Sequence, residues 1–374
     1  MGRVLSLWTP TELGARLRPA AFVLLLGLTA CGGAAAPGPS SASASATTKP
    51  SAVSSAGQSQ SAPASVLASS GQALPQLTIP YTAISVTSSP LWVTLETGQF
   101  AKYGLDVKTE YIPTSTALTP AMLSGQIPVA NNSEDALINA NLAGGDLAII
   151  AAGADKFVFS VYTKSLANVS DLKGKKIGIT RIGAATDFAA RFVLAKNNLT
   201  PDKDVALLQI GSVPEILAGI LSGAVDAGVL SPPTTAQARK ANLKPIANLS
   251  DYDVRYYTGP IAAKKPWLRD HRDLGLKVVQ AYAAGIAVIH RDKETTMRII
   301  GKYSKTDDAA VLEDAYSSLL PALPRVPLPK VDAIQTGLAQ ASEPNAKTAD
   351  PASFINPSLV EELQASGFID NLYK

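Results

Sequence analysis

One helix-to-strand junction occurs twice in this chain. Met122-Leu123-Ser124-Gly125-Gln126-Ile127 and Ile220-Leu221-Ser222-Gly223-Ala224-Val225 align at a spacing of 98 positions. In each, a glycine stands where a helix must close before a short buried strand. The order of elements around the junction repeats as well. In the first round, Leu77-Thr78-Ile79-Pro80-Tyr81 reads as a strand. Thr87-Ser88-Ser89-Pro90 reads as a helix start, with hydroxyls able to cap and a proline in the first turn. Leu105-Asp106-Val107-Lys108-Thr109-Glu110-Tyr111-Ile112 alternates as a strand after Gly104. Helices over 116–124 and 134–143 flank the short strand Ile127-Pro128-Val129-Ala130, and an apolar strand follows at 147–152. In the second round Lys176-Ile177-Gly178-Ile179-Thr180, 205–210 and 225–230 are strands. Gly183-Ala184-Ala185-Thr186-Asp187 and Pro214 open the helices between them. Strands alternating with helices predict a parallel α/β sheet, and the pattern twice over predicts two lobes.

From 264 onward the spacing turns helical. Leu276, Val279, Ala283, Ile286 and Ile289 keep one apolar face. Further helices fit 292–303, 307–320, 328–341 and 357–366, with Pro321, Pro324, Pro327, Pro344 and Pro351 between them. Lobe 1 is expected over 76–160 plus 257–374, with the C-terminal helices, and lobe 2 over 161–256. Such a pair encloses a cleft, and ligands of open α/β sheets lie beyond the carboxyl ends of the strands, beside helix N-termini. The lobes are expected to move about strands that cross near 157–162 and 255–259, where β-branched and aromatic residues flank the return of the pattern.

The N-terminal segment has a different character. Arg3, Arg16 and Arg18 precede the charge-free run from Ala20 to Ala30, which is too short to span a hydrocarbon core as a helix. Basic flank and length fit a secretory signal peptide over 1–30. The run ends in Leu28-Thr29-Ala30-Cys31-Gly32-Gly33, so small residues precede the only cysteine. This resembles a bacterial lipobox, in which that cysteine is lipidated. Residues 31–75 then form a tether. The stretch is rich in Ser and Ala, lacks aromatics, has Lys49 as its one charge, and cannot bury enough apolar surface to offset the entropy of ordering. The expected location is extracytoplasmic, on the membrane surface through acylated Cys31.

Several functions are excluded or disfavoured. The net charge of +3 over 374 residues offers no basic footprint for nucleic acid. One cysteine and two histidines, His271 and His290, rule out a disulfide framework and a multi-histidine metal site, and leave little room for a histidine-based triad. There is no Gly-x-Gly-x-x-Gly after a strand, no phosphate-binding Gly-x-x-x-x-Gly-Lys-Ser/Thr, and no Gly-x-Ser-x-Gly elbow. Asp307-Asp308 and Glu361-Glu362 sit where helix starts or solvated helix faces take acidic residues. No cofactor, metal or catalytic residue is expected.

The run Ser89-Pro90-Leu91-Trp92-Val93 through Gly98-Gln99-Phe100-Ala101-Lys102-Tyr103-Gly104-Leu105-Asp106-Val107 resembles the first helix and second strand of bacterial solute-binding proteins of the sulfonate/nitrate/taurine type, which are related to the thiamine-precursor-synthase-like family. Leu172-Lys173-Gly174-Lys175-Lys176-Ile177-Gly178-Ile179, the stretch 219–230 and Ser231-Pro232-Pro233 resemble that family's second lobe. The resemblance covers 77–340. It implies a type II periplasmic-binding-protein fold whose two lobes close on a small ligand and dock, loaded and monomeric, on an ABC permease. The pyrimidine-making relatives use a cysteine-rich segment and a sacrificial histidine. This chain has neither after Cys31, so the enzymatic activity is not carried over. A ligand-binding module of a membrane sensor and a secreted enzyme on the same fold are the alternatives.

Helix N-termini place candidate ligand contacts at Ser88, Ser89, Ser133 and Thr186, each of which is equally able to cap its helix. Thr114 and Ser231 follow strands on the same rim. Arg181 is a candidate anion holder by its bidentate fork, with pairing to Asp187, itself a candidate ligand contact, as the structural alternative. Trp92 is a candidate flat wall. Glu134, Asp135 and Asp187 nearby argue against a strongly anionic pocket and extend the expected ligands from sulfonate, nitrate or carboxylate to zwitterions and heteroaromatic amines.

Overall fold

The computed structural model describes residues 73–252, 254–341 and 343–374. The expected signal peptide, Cys31 and the tether up to residue 72 lie outside the described residues.

A five-stranded sheet runs in the spatial order Lys244–Asn248, Ser160–Thr163, Ala227–Leu230, Lys176–Ile179, Ala206–Gln209. The last three are mutually parallel, as expected of strands joined by helices. Ser160–Thr163 is antiparallel to both of its neighbours. The second main sheet is Val129–Asn131, Ile261–Lys264, Leu147–Ala151, and its central strand is antiparallel to both flanks. The parallel expectation holds for three strands of the five-stranded sheet and is otherwise corrected, in both sheets for one physical reason. Parallel neighbours need a crossover helix, and the strands that carry the chain from one sheet to the other enter without one. Gln76–Thr78 pairs with Asp106–Lys108 beside the second sheet. The expected strands 77–81 and 105–112 shrink to these short pieces plus isolated bridges from Tyr81 to Tyr111 and to Asn131.

The two sheets are joined by a ribbon. Ala154–Lys156 and Arg255–Thr258 pair antiparallel, midway along both crossings of the chain. The helical tail folds back on the second sheet as Arg272–Arg291, Lys293–Ser304, Ala309–Leu319, Val331–Gln340 and Ser358–Ala365, within two or three residues of the periodicity reading.

Cores follow the sheets. Beside the five-stranded sheet, Phe157 stacks on Tyr256 at 4.8 Å, and Tyr256 on Phe188 at 4.5 Å, between ring centroids. Beside the other, the first helix Ser89–Glu96 lies against Arg272–Arg291, with Leu91, Trp92, Val93, Tyr282 and Ile286 fully buried. The two helices approach closely because Gly285 faces Thr94. A Cβ on Gly285 would lie 2.0 Å from Thr94 Oγ1 and 2.9 Å from Thr94 Cα. Alanine would gain about 1 kcal/mol of helix propensity, but overpacking a core costs about 1–3 kcal/mol. Clash with a backbone atom puts this site at the upper end. Gly285→Ala is expected to lower unfolding free energy by about 1–2 kcal/mol in denaturant titrations. An unchanged or raised midpoint would show that the helices separate at no cost.

Candidate ligand site

Helices start where strands end, and in this fold five of those starts reach one cavity. Ser88 precedes helix Ser89–Glu96, Thr114 precedes Ser115–Ser124, Ser133 precedes Glu134–Leu142, Ala184 precedes Ala185–Lys196, and Ser212 precedes Val213–Ser222. All five residues line a cavity of about 60 Å³, room for a few water molecules or a small polar head group. The first three belong to the segments around the three-stranded sheet, the other two to those of the five-stranded sheet. Between them lie Thr180, Thr186, Ser231, Thr258, Asn131 and Asn132. Among the described residues the lining holds no Asp, Glu, His, Lys or Arg.

The polar inventory is not satisfied internally. Ser133 Oγ, Ser231 Oγ and Thr258 Oγ1 are buried without a hydrogen-bond partner, although Ser133 sits near enough to Asp135 to act weakly on its titration. A buried unpaired hydroxyl costs about 1–3 kcal/mol by mutational measures, so three around one cavity mark a place where hydrogen bonds are to be completed. Ser133 stands at the N-cap position but makes no capping bond. Ser88 Oγ donates to the Ala83 carbonyl at 2.8 Å. Thr114 holds φ +73° and ψ 141°, a conformation strained for a β-branched residue.

The first turn of Glu134–Leu142 brings two carboxylates to the edge of this cavity and turns both away from it. Glu134 accepts from the Tyr257 N–H at 2.8 Å, and Asp135 from the Tyr256 hydroxyl. Both grip the joining ribbon. Burial raises Glu134 well above the usual carboxylate range. It raises Asp135 to about 7, opposed by the Tyr256 hydrogen bond.

The residues named from sequence distribute as follows. Ser88, Thr114, Ser133, Thr186 and Ser231 line the cavity. Ser89 is fully buried with an unpartnered hydroxyl, but lies outside the lining. Trp92 is fully buried and stacks on Tyr303 at 4.6 Å, so it is core and not wall. Thr186 is not the cap residue. Ala184 holds that position, while Thr186 Oγ1 accepts from the Thr180 N–H at 2.9 Å and shares a 2.7 Å bond with the Thr180 hydroxyl. Arg181 is exposed and outside the lining. Asp187 pairs with Arg191 at 2.8 Å and accepts from Gly183 N–H, so the expected Arg181–Asp187 alternative is replaced by an i,i+4 pair within one helix. Asp187 and Asp135 line a neighbouring cavity of about 250 Å³ instead. The reading missed Asn131, Asn132, Thr180, Ser212 and Thr258. Ser212 was signalled, since Ser212-Val213-Pro214-Glu215 is a capping box, and both of its reciprocal bonds form. The others carry no local signal, because their position depends on how the strands cross.

The family model described as NMT1/THI5 like matches residues 86–295, which include most of the cavity-lining segments. No curated protein matches the chain in sequence. Among solved structures, it is similar to the alkanesulfonate-binding protein SsuA from Xanthomonas axonopodis pv. citri bound to MOPS (TM-score 0.62, 19% identity, 77% of this chain and 96% of that one). It is also similar to a ligand-binding component of an ABC-type import system from Staphylococcus aureus with zinc bound (TM-score 0.64, 15% identity, 77% and 98%). A third is the periplasmic nitrate-binding protein NrtA from Synechocystis PCC 6803 (TM-score 0.63, 13% identity, 80% and 91%). At these identities the likeness carries the fold, a type II periplasmic-binding-protein fold, and not the ligand.

The carboxylate Asp135 has a stability consequence of definite sign. Its pKa rises on folding from 3.8 to about 7, so between those values the folded chain holds a proton that the unfolded chain has lost. Stability from this group is therefore full below about pH 4 and declines as pH rises to about 7. Asp135→Asn keeps an acceptor for Tyr256 and cannot ionise. It is expected to flatten the pH dependence of the unfolding free energy across that window and to be more stable than the parent above it. An undiminished slope in pH-resolved denaturation would assign the dependence to other groups.

Proposed function

Since the chain belongs to the NMT1/THI5-like family, we propose that it is the solute-binding component of an ABC importer. It captures a small polar organic or inorganic solute between two lobes, 76–160 plus 257–374 and 161–256, and delivers it to a membrane permease. The observation that carries this reading is the cavity: five helix N-termini, three unpartnered buried hydroxyls, and no charged side chain. Helix starts carry about half a positive charge and leave N–H groups unpaired. That holds most fully at Ser115–Ser124, Glu134–Leu142 and Ala185–Lys196, which lack side-chain caps, whereas the Ser89 N–H bonds the Val86 carbonyl and the Glu215 N–H bonds Ser212 Oγ. A ligand oxyanion such as a sulfonate, nitrate or carboxylate thereby finds donors on several sides with no cation to pair with. Neutral zwitterions and pyrimidine-like amines fit the hydroxyls but use less of the field. With Glu134 and Asp135 engaged on the ribbon, the objection they raised to an anionic ligand falls away.

Ser133 comes from one lobe, and Ser212 and Ser231 from the other. A ligand that bridges them binds the closed arrangement better than the open one, which is all that is needed to drive closure. The lining supplies hydroxyls but no general base to activate one, which favours binding over turnover. Anchoring through Cys31 would keep the clamp beside its permease, on the outer face of the cell membrane.

Native mass spectrometry of gently purified protein identifies the co-purifying solute, and calorimetric titration of that solute then tests the site. Ser133→Ala or Ser231→Ala is expected to weaken an anionic ligand by about tenfold to over a hundredfold, the worth of a charged hydrogen bond. Arg181→Ala should leave affinity unchanged. Equal affinity in both serine variants, or a loss confined to Arg181→Ala, would move the site elsewhere.

Anchoring is tested separately. Cys31→Ala should release the protein from the membrane fraction, because stable anchoring takes two or more acyl chains and one residue would carry them all. Unchanged fractionation of the processed variant would rule out the lipobox.

A further inference from the structure

The cavity is free of charge, but the contact between the lobes is not. Helix Thr234–Lys240 belongs to the five-stranded-sheet side and helix Ala309–Leu319 to the other. They meet through two ion pairs. Arg239 Nη2 lies 2.5 Å from Asp314 Oδ1, and Lys240 Nζ bonds Asp308 Oδ2. One member of each pair has a second tie to its own side. Arg239 Nη1 donates to the Tyr162 hydroxyl at 2.8 Å, and Tyr162 is buried in the five-stranded sheet. Asp308 caps its helix by accepting from the Ala310 and Val311 N–H groups. One charge of each pair, Arg239 on one side and Asp308 on the other, is thus held in place before the pair forms.

A short backbone path leads from this contact to the cavity. Ser231 lines the cavity, and Pro232 and Pro233 lead directly into helix Thr234–Lys240. The Pro232 carbonyl accepts from the Val86 N–H at 3.0 Å. Val86 opens the short turn Val86–Ser88, whose Thr87 and Ser88 line the cavity from the opposite lobe. Seating Ser231 against Ser88 across a ligand therefore also seats helix Thr234–Lys240 against Ala309–Leu319.

We infer that Arg239 and Lys240, with Asp314 and Asp308, form an ionic latch that holds the two lobes closed, so that opening depends on salt although the cavity carries no charge. The inference rests on the two-lobed clamp proposed above for its motion, but it needs no ligand to be tested. Both pairs are partly exposed. Pairs of that kind are individually weak, and two together set the ratio of open to closed by about two- to thirtyfold. That is enough to tune an equilibrium and too little to lock it.

Amide hydrogen exchange of the ligand-free protein reads the latch directly, because the Val86 N–H bond to Pro232 crosses between the lobes and breaks on opening. In Arg239→Gln/Lys240→Gln, Val86 should exchange about two- to thirtyfold faster, while amides of the core strand Ala227–Leu230 keep the parental rate. Raising salt from about 50 mM to about 1 M should speed Val86 similarly in the parent, by screening, and not in the double variant. Reversal of the acidic side, Asp308→Lys/Asp314→Lys, should open the protein further. Combining it with Arg239→Asp/Lys240→Asp should restore protection. Should the reversed helix fail to fold without its Asp308 cap, Lys240→Gln with the salt series is sufficient, since it leaves the cap and Tyr162 untouched. Val86 exchange indifferent to Lys240→Gln, to the double variant and to salt, yet faster than core exchange, overturns the latch and leaves the clamp standing. Val86 exchanging only in step with the core strand overturns the latch and the clamp together.

Discussion

The rest of the structure depends on how the chain crosses twice between two sheets. Ala154–Lys156 goes out and Arg255–Thr258 comes back, paired as a two-stranded ribbon. Alone, such a ribbon is marginal. Here the surrounding side chains hold it. Glu134 takes the Tyr257 N–H, Asp135 takes the Tyr256 hydroxyl, and Arg255 pairs with Asp155 and Asp332. Tyr256 itself lies in the aromatic stack of the five-stranded sheet, between Phe157 and Phe188. The ribbon ends at Gly259, whose φ of +65° and contact with the Thr87 carbonyl exclude a side chain; a Cβ there would lie 2.3 Å from that oxygen. Because Thr87 and Thr258 both line the cavity, the same few residues fix the crossing and one wall of the site.

Burying two carboxylates at the crossing has an energetic cost that shows in their titration, and it explains how the cavity stays neutral. An acidic first turn is ordinarily favourable at a helix N-terminus. If Glu134 and Asp135 faced the cavity, they would cancel the field that the five helix starts create. Turned onto the ribbon, they stabilise its N–H and hydroxyl donors instead and leave the helix ends free. Burial raises both acids on folding, so the protein gives up some stability near neutral pH to keep that separation.

Much of this was legible in the sequence, for reasons that can be stated. The repeated Leu-Ser-Gly junction marked helix ends because glycine adopts the left-handed conformation that closes a helix, and Gly125 and Gly223 do so at φ +83° and +80°. Strand ends followed by Ser or Thr marked the rim, which is why five of the named residues line the cavity. Strand direction was not legible, since antiparallel entry depends on which sheet a strand joins and no local pattern encodes it. Arg181 illustrates a second limit. Its place after a strand fixes the height of its Cα, but the side chain points to solvent. The partner of Asp187 was one helical turn away, at Arg191, and not at the neighbouring strand end. Trp92 fell to the core because helix Ser89–Glu96 is buried on several sides against Arg272–Arg291 and Lys293–Ser304, where an indole contributes more by stacking on Tyr303 than by edging a small cavity.

Charge is therefore sorted by position. Inside the cavity the polar groups are dipoles and hydroxyls, held at fixed positions because the backbone that carries them is largely helical and buried. An arginine in the same place would bind an oxyanion more tightly, but it would also bring a desolvation penalty whenever the cavity closed empty. Neutral donors avoid most of that penalty, and the Val86–Pro232 hydrogen bond ties the two walls of the cavity together directly. Full charges instead sit outside the cavity. At the ribbon, Arg255 pairs with Asp155 and Asp332 near the surface, while the buried Glu134 and Asp135 are pushed by burial toward their neutral forms. At the far contact between helices Thr234–Lys240 and Ala309–Leu319 they are partly exposed and weak. That placement follows from the dielectric: a pair near water can form and break at small cost, and a buried one cannot.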